Sequence, residues 1–220
     1  TLSPRISFSY VLADQWTANA SIGSYYKLAP YTMLGFADNN NVLINRNSKY
    51  QKSDHYVGGI EYLPNPELRF TVEGFFKNYN NVPISVRNGV SLSNLGNDFN
   101  VLGNEAVITN GKGNTYGLEF FAQKKLTDRF FGIFSYTYYR SKYSGTNDVL
   151  ISSSWDNRHL LSITSGYKFN RNWELGLKFR YQGGAPYTPF NEDESRTNYL
   201  SQGQGIFDYS RLNSLRLNGF

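Results

Sequence analysis

The residues with the chemistry to bind or react are few and far apart. Asn191-Glu192-Asp193-Glu194 sets oxygen-bearing side chains in a row, the hard ligand type that calcium takes; a run of this kind is equally a solvated stretch of loop. Gly111-Lys112-Gly113-Asn114-Thr115 has the flavour of a phosphate-binding loop without its spacing, and reads as a flexible connection. There is no cysteine, which excludes disulfides and thiolate metal sites. Only His55 and His159 remain as imidazoles. A hydrolase needs a nucleophile, a base and an orienting group within hydrogen-bond reach, and neither histidine has such partners. The expectation is a protein that is not an enzyme, with no catalytic residue, resident metal or cofactor.

The elements that carry these groups are strands. From Trp173, the residues Leu175, Leu177, Phe179 and Tyr181 share one parity, with Glu174, Gly176, Lys178, Arg180 and Gln182 on the other. One face is greasy and one polar. Just before, Leu161, Ile163, Tyr167 and Phe169 share a parity broken by Ser165, opposite Ser162, Thr164, Gly166 and Lys168, and Asn170-Arg171-Asn172 turns one segment into the next. Eleven residues from His159 to Phe169 would span about 36 Å, or about 25 Å when tilted, the height of an outer-membrane apolar band. Sandwich strands are shorter, at about five or six residues. Trp173 and Phe169 at one end and Tyr181 at the other suit the two aromatic girdles of such a band.

Composition agrees. Aromatics make up 17% of the chain while the mean hydropathy is −0.50, so rings are many and continuous apolar runs are lacking. No stretch reaches the roughly 18 apolar residues of a spanning helix, and nothing has the pattern of a signal peptide. The net charge of +5 comes from basic residues scattered singly along strands, not gathered into a stripe, which argues against nucleic acid.

In chain order, strands are expected at about Arg5 to Leu12, Trp16 to Tyr26, His55 to Leu63, Leu68 to Lys77, Tyr116 to Gln123 and Arg129 to Lys142, then the opening pair. Ala13-Asp14-Gln15, Pro64-Asn65-Pro66-Glu67 and Leu126-Thr127-Asp128 are short turns. Long connections cover about Lys27 to Ser53, Asn80 to Gly113 and Ser141 to Ser154. Short turns thus alternate with long loops, as periplasmic turns and extracellular loops do. The fold class expected is all-β, a transmembrane antiparallel up-and-down β-barrel of which about eight strands are present. His55 and His159 fall four strands apart, about 19 Å at about 4.8 Å per strand, too far to share a metal.

Parity then sorts the side chains. Arg69, Glu73, Lys77, Glu119, Lys178 and Arg180 are expected to face the lumen, joined by Phe75, Phe121 and Phe131 beside outward Phe76, Phe120 and Phe130. The inward rings could line a ligand path or pack against a plug. Tyr31, Phe36, Tyr187, Phe190, Phe207 and Tyr209 are the loop aromatics placed to meet a ligand. Both chain ends fall on the long-loop side, whereas such barrels begin and end in the periplasm. A slice of a larger barrel is expected, with strands missing beyond Thr1 and Phe220, and Phe220 is read as an accidental stop because Ser214, Arg216 and Asn218 on its face are polar.

Trp155-Asp156-Asn157-Arg158-His159, the turn into Trp173-Glu174-Leu175-Gly176, and Gly183-Gly184-Ala185-Pro186-Tyr187-Thr188-Pro189 resemble the late barrel strands of TonB-dependent outer-membrane receptors, especially the Bacteroidetes type. The resemblance covers the chain from about Tyr50 onward, and the Gly-Ala-Pro-Tyr-Thr-Pro element is its more specific part. It implies a barrel of about 22 strands around an N-terminal plug, in the bacterial outer membrane, taking up a scarce small-molecule or glycan ligand with energy delivered through the TonB complex. It also implies that residues 1–220 are part of the barrel domain alone, with plug and TonB-contacting segment elsewhere. The residues by themselves leave open a small anchoring or adhesive barrel and a passive porin.

Overall fold

The computed structural model describes residues 2–95, 103–169 and 172–216. The alternating segments pair with their neighbours in sequence, because a two-residue turn lets an antiparallel partner fold straight back. The strands are β1 (Arg5–Ala13), β2 (Trp16–Lys27), β3 (Gln51–Asn65), β4 (Leu68–Ser85), β5 (Val107–Thr127), β6 (Phe130–Ser144), β7 (Leu150–Ser152), β8 (His159–Lys168) and β9 (Glu174–Gln182). They form one nine-stranded sheet in sequence order, with the short β7 hung on the far end of β6. β1 and β9 are its edges, each paired on one side.

Turn chemistry is local. Asn65 Oδ1 accepts from the N–H groups of Glu67 and Leu68, both at 3.0 Å, so the Asn side chain closes the Pro66-Glu67 turn. Asp128 takes φ 53° in the turn between β5 and β6, a left-handed position that Asp tolerates. Residues 170 and 171 lie outside the described set; the flanking Phe169 N–H donates to Trp173 O at 3.0 Å.

Three expectations need correction. First, β4 and β5 run on to Ser85 and back to Val107, so the connection expected over Asn80 to Gly113 shrinks to residues 86–106. Their ladder continues through Asn80↔Lys112 and Ser85↔Val107 with register shifts on both sides of Val82, and Asn81 takes φ 57° there, as a bulge requires. Backbone pairing persists where alternation has stopped. Second, the Gly111 to Thr115 segment is therefore strand and not flexible loop. A Cβ on Gly113 would lie 2.2 Å from the Tyr143 ring, so that glycine makes room for an aromatic.

Third, the stretch after Gly183, from which Tyr187, Phe190, Phe207 and Tyr209 are expected as loop aromatics and Asn191 to Glu194 as a stretch of loop, contains regular elements. β10 (Pro186–Tyr187) pairs with β11 (Leu215–Arg216), and between them stands α2 (Glu192–Gln202). The acidic run is its start: Asn191 Oδ1 accepts from Glu194 N–H at 3.2 Å, and Glu192, Asp193 and Glu194 fill the first turn, where negative charge meets the positive end of the helix dipole. Gly203 closes the helix at φ 68°.

The buried apolar cluster sits in the connections and not in the sheet. Ala29, Met33, Leu92, Leu95 and Leu212 form it, with Leu34, Val90, Val107, Ile151 and Tyr209 packed around. Met33 is held by the single-turn helix α1 (Tyr31–Leu34), and Leu92 by one 3-10 turn at Leu92–Asn94. Among the described residues the wall is a single layer, so this cluster gathers in the connections, while Val82 and Ile84 are buried on the loop-ward extension of β4.

Candidate functional site

Cross-strand register places whole rows of side chains on one face or the other. On the apolar face, one row runs Trp16, Tyr62, Phe70, Ala122, Phe134, Ile163, Phe179. Its first three rings overlap, with centroids 4.3 Å apart for Trp16–Tyr62 and 6.3 Å for Tyr62–Phe70. At the opposite end of the strands, Tyr56 and Phe76 lie 6.3 Å apart beside Tyr116. Leu118, Ile60 and Val72 occupy the middle, all exposed. Two ring-bearing belts around an aliphatic band make a lipid-facing surface. His159 belongs to this face, its Nδ1 2.8 Å from Tyr136 Oη and its ring 5.3 Å from Tyr138. His55 is on the other face, which separates the two histidines by the sheet itself.

The polar face carries the six residues expected in the lumen. Glu73 stands directly opposite Glu119 in the row that continues to Thr137, Leu160 and Gln182. The row of Thr71, Phe121, Ser135 and Ser162 ends on Arg180, and that of Arg69, Gln123, Ile133 and Thr164 ends on Lys178. Arg69 pairs with Glu61 at 2.6 Å and covers the Phe121 ring at 5.9 Å; Lys77 covers Phe75 at 5.3 Å. Phe131 fills the space that a Cβ on Gly166 would need, and Phe75 the space at Gly117. Two of the three inward rings, Phe75 and Phe131, thus pack on glycine notches in their own wall. Two hollows in the sheet, one against Ser7, Asn19, Ser21 and Glu73 and one against Ser135, Thr137, Ser162 and Arg180, lie on this face.

The long connections form a third surface, knitted by buried polar groups. Asp156 is completely buried. Its Oδ1 accepts from Ser141 N–H at 2.9 Å, and its Oδ2 from Arg140 Nε at 3.2 Å and Arg216 Nη2 at 2.6 Å. Arg216 Nη1 also donates to the Asp156 carbonyl and, at 3.3 Å, to that of Gly184. Burial pushes the Asp156 carboxyl up, but the hydrogen bonds from Ser141 and Ser152 and the two guanidinium charges outweigh it and hold the group below its ordinary value. Asn213 Nδ2 donates to Asn94 O at 2.9 Å and Ser152 O at 2.8 Å. Asn45 Nδ2 donates to Met33 O and Glu105 O, while its Oδ1 accepts from Val107 N–H. Arg158 adopts φ 68° at the entry to β8, where its carbonyl accepts from Tyr139 N–H at 2.9 Å.

Sequence reasoning quoted Asp156 and Gly183 without seeing what they do, and passed over Asn45, Asn94 and Asn213. Of the loop aromatics, Tyr31 and Phe190 are exposed, Phe190 stacking on Phe207 at 4.7 Å. Tyr187 stands on β10, and Phe36 is half-buried. Tyr209 is half-buried against the loop core and accepts from Asn88 Nδ2 at 3.5 Å. Among the described residues, no three His, Cys, Asp or Glu side chains gather as a metal site would require.

The family described as "TonB dependent receptor-like, beta-barrel" matches residues 1–219. The chain belongs to that family. This TonB-dependent receptor β-barrel is outer-membrane wall, and its apolar rows are the lipid face. Receptors of the family bind small-molecule ligands and work with a plug and TonB. Among solved structures, the chain is similar to Pseudomonas aeruginosa FpvA bound to heterologous pyoverdines, with 18% identity, a TM-score of 0.64, and coverage of 99% of this chain and 25% of that one. It is also similar to the FrpB iron transporter of Neisseria meningitidis, with 13% identity, a TM-score of 0.62, and 100% and 31% coverage. The copper transporter OprC gives 17% identity, a TM-score of 0.59, and 83% and 26% coverage. The receptor chain thus spans about a quarter to a third of the length of these structures. No curated protein matches it.

Proposed function

We propose that the chain is one arc of a larger, plugged barrel of about 22 strands, and that the whole protein takes up a scarce ligand of the siderophore, haem, cobalamin or glycan class with energy supplied through TonB. The observation that carries this reading is the two-sided wall: continuous apolar rows outward, charged and hydroxyl-bearing rows inward, under a packed layer of loops. The unpaired edges of β1 and β9 support further strands in the intact protein, because open sheet edges do not sit in lipid. Arg69, Glu73, Lys77, Glu119, Lys178 and Arg180 then face a plug or ligand path. Tyr31, Phe36, Tyr187, Phe190, Phe207 and Tyr209 are the ring-bearing positions from which a ligand is first met, Tyr209 also packing on the loop core.

The test is ligand binding and accumulation in cells carrying the intact protein, with and without a working TonB protein. Binding is expected to survive loss of TonB and accumulation is not. Undiminished accumulation without TonB would make the protein a passive porin, and absence of any ligand dependence would make it an anchoring barrel.

A further inference from the structure

Towards the loops, the lipid face ends in a strip of amide and ammonium groups. Along β5 the outward residues run Leu118, Tyr116, Asn114, Lys112 in that direction, and along β6 they run Tyr138, Arg140, Lys142. Register sets Leu118 opposite Tyr138, Tyr116 opposite Arg140 and Asn114 opposite Lys142, with Asn78 on the other side of Asn114. Both columns thus pass from apolar surface through a ring to a cation, and Leu118, Tyr116 and Tyr138 are exposed. Lys112 stands diagonal to Lys142 across the ladder between β5 and β6, a separation of about 7 to 8 Å that long side chains span. Lys112 meets Asp148 at 3.3 Å, with the two side chains 63% and 73% exposed, and so open a pair is weak and readily exchanged. Among the described residues, the Lys142 ammonium has no ion pair or hydrogen bond. Arg140 is turned to Asp156 at 3.2 Å, and Asp54, in the same row as Lys142, is already held by Lys52 at 2.9 Å.

We propose that Lys112 and Lys142 clamp a phosphate of a glycolipid in the outer leaflet, with Asn78 and Asn114 facing its sugar hydroxyls and its acyl chains lying along Tyr116 and Leu118. Two observations name this occupant. The strip continues the lipid-facing surface without a break, so what reaches it comes from the bilayer. Its charge is positive at the height where lysine stems rise from the apolar boundary to anionic headgroups. The inference rests on the chain being outer-membrane wall and goes beyond the transport reading, because the strip lies on the opposite face from the lumen.

The intact barrel in detergent is titrated with diphosphorylated lipid A, with the same lipid stripped of its phosphates, and with inorganic phosphate, and bound lipid is counted by native mass spectrometry. Saturable retention of the phosphorylated lipid is expected, with the stripped lipid held much more weakly. Lys112→Gln and Lys142→Gln should each weaken retention about fivefold, and the double variant about twenty-fivefold, without changing what the stripped lipid does. Lys125→Gln, at the turn end of β5, should leave retention as it was. Each variant is first checked for heat-modifiable mobility; the comparison of the two lipids on the unaltered protein decides the matter if one fails. Equal retention of both lipids, or undiminished retention in the double variant, overturns the inference. Inorganic phosphate that displaces the lipid at equal concentration would make this a site for soluble phosphate and overturn the lipid assignment. TonB-independent accumulation would overturn the transport reading without altering this result.

Discussion

The Asp156 carboxylate lies 2.6 Å from the guanidinium of Arg216, sixty residues further along the chain. That contact ties the connection before β8 to the strand that closes the α2 loop, and Arg140 joins from β6 at 3.2 Å. Removing one partner of a buried charge pair costs about 3 to 5 kcal/mol, because the other charges stay behind uncompensated. Asp156→Asn should therefore loosen the loop layer while the sheet below it holds. Hydrogen exchange should show faster exchange around residues 92–95 and 209–216, with the amides of β8 and β9 unchanged.

The same carboxylate sets an acid limit. Its pKa in the folded protein lies below the ordinary 3.8, so the ionised form is the stabilised one. The stabilisation is complete above that ordinary value and is lost as pH falls through the lower, folded one. Protease sensitivity of the loop layer should stay flat from neutral pH to about pH 4 and rise only below it. Asp156→Asn should show no such acid step.

Two glycines separate tight packing from open wall. A Cβ on Gly183 would come 2.2 Å from the Asn157 carbonyl oxygen, whereas one on Gly176 meets nothing within 4 Å. Gly183→Ala is expected to cost about 1 to 3 kcal/mol in a urea refolding titration, the usual penalty for overpacking. Gly176→Ala should stay within about 0.5 kcal/mol of the parent.

What could be read from the sequence depended on whether lipid imposed a pattern. From Glu174 to Gln182 one side meets hydrocarbon, so apolar residues alternate and the strand is plain. Beyond the band, β4 and β5 keep their ladder to Ser85 and Val107 with no alternation to betray it. The α2 helix buries none of its residues, so it leaves no apolar period; its signals are the Asn191 cap, the acidic first turn and Gly203, and of these only the run Asn191 to Glu194 stands out in the sequence, as a solvated stretch. The loop core draws on Met33, Leu92, Leu95 and Leu212, and the Asp156 hub on partners 16 and 60 residues away. No local pattern encodes such meetings.

The parity of β9 makes a quantitative claim about stability. Leu177→Arg puts a charge on the hydrocarbon side and should cost about 2 to 4 kcal/mol near the midplane, while Lys178→Leu on the polar side should cost much less. Refolding of the intact barrel into bilayers, followed against denaturant, compares the two. Equal losses would mean that the faces are not as assigned.

The most direct test of the wall itself places single cysteines at 175, 176, 177, 178, 179 and 180, where this chain has none of its own, in an otherwise cysteine-free form of the intact barrel and spin-labels them one at a time. In bilayers, labels at 175, 177 and 179 should be reached by dissolved oxygen and shielded from a water-soluble nickel chelate, and labels at 176, 178 and 180 should show the reverse or be shielded from both. A period of two in oxygen access is the predicted result. Uniform access along the strand, or the opposite phase, would contradict a barrel wall with Leu177 in lipid and Lys178 inside.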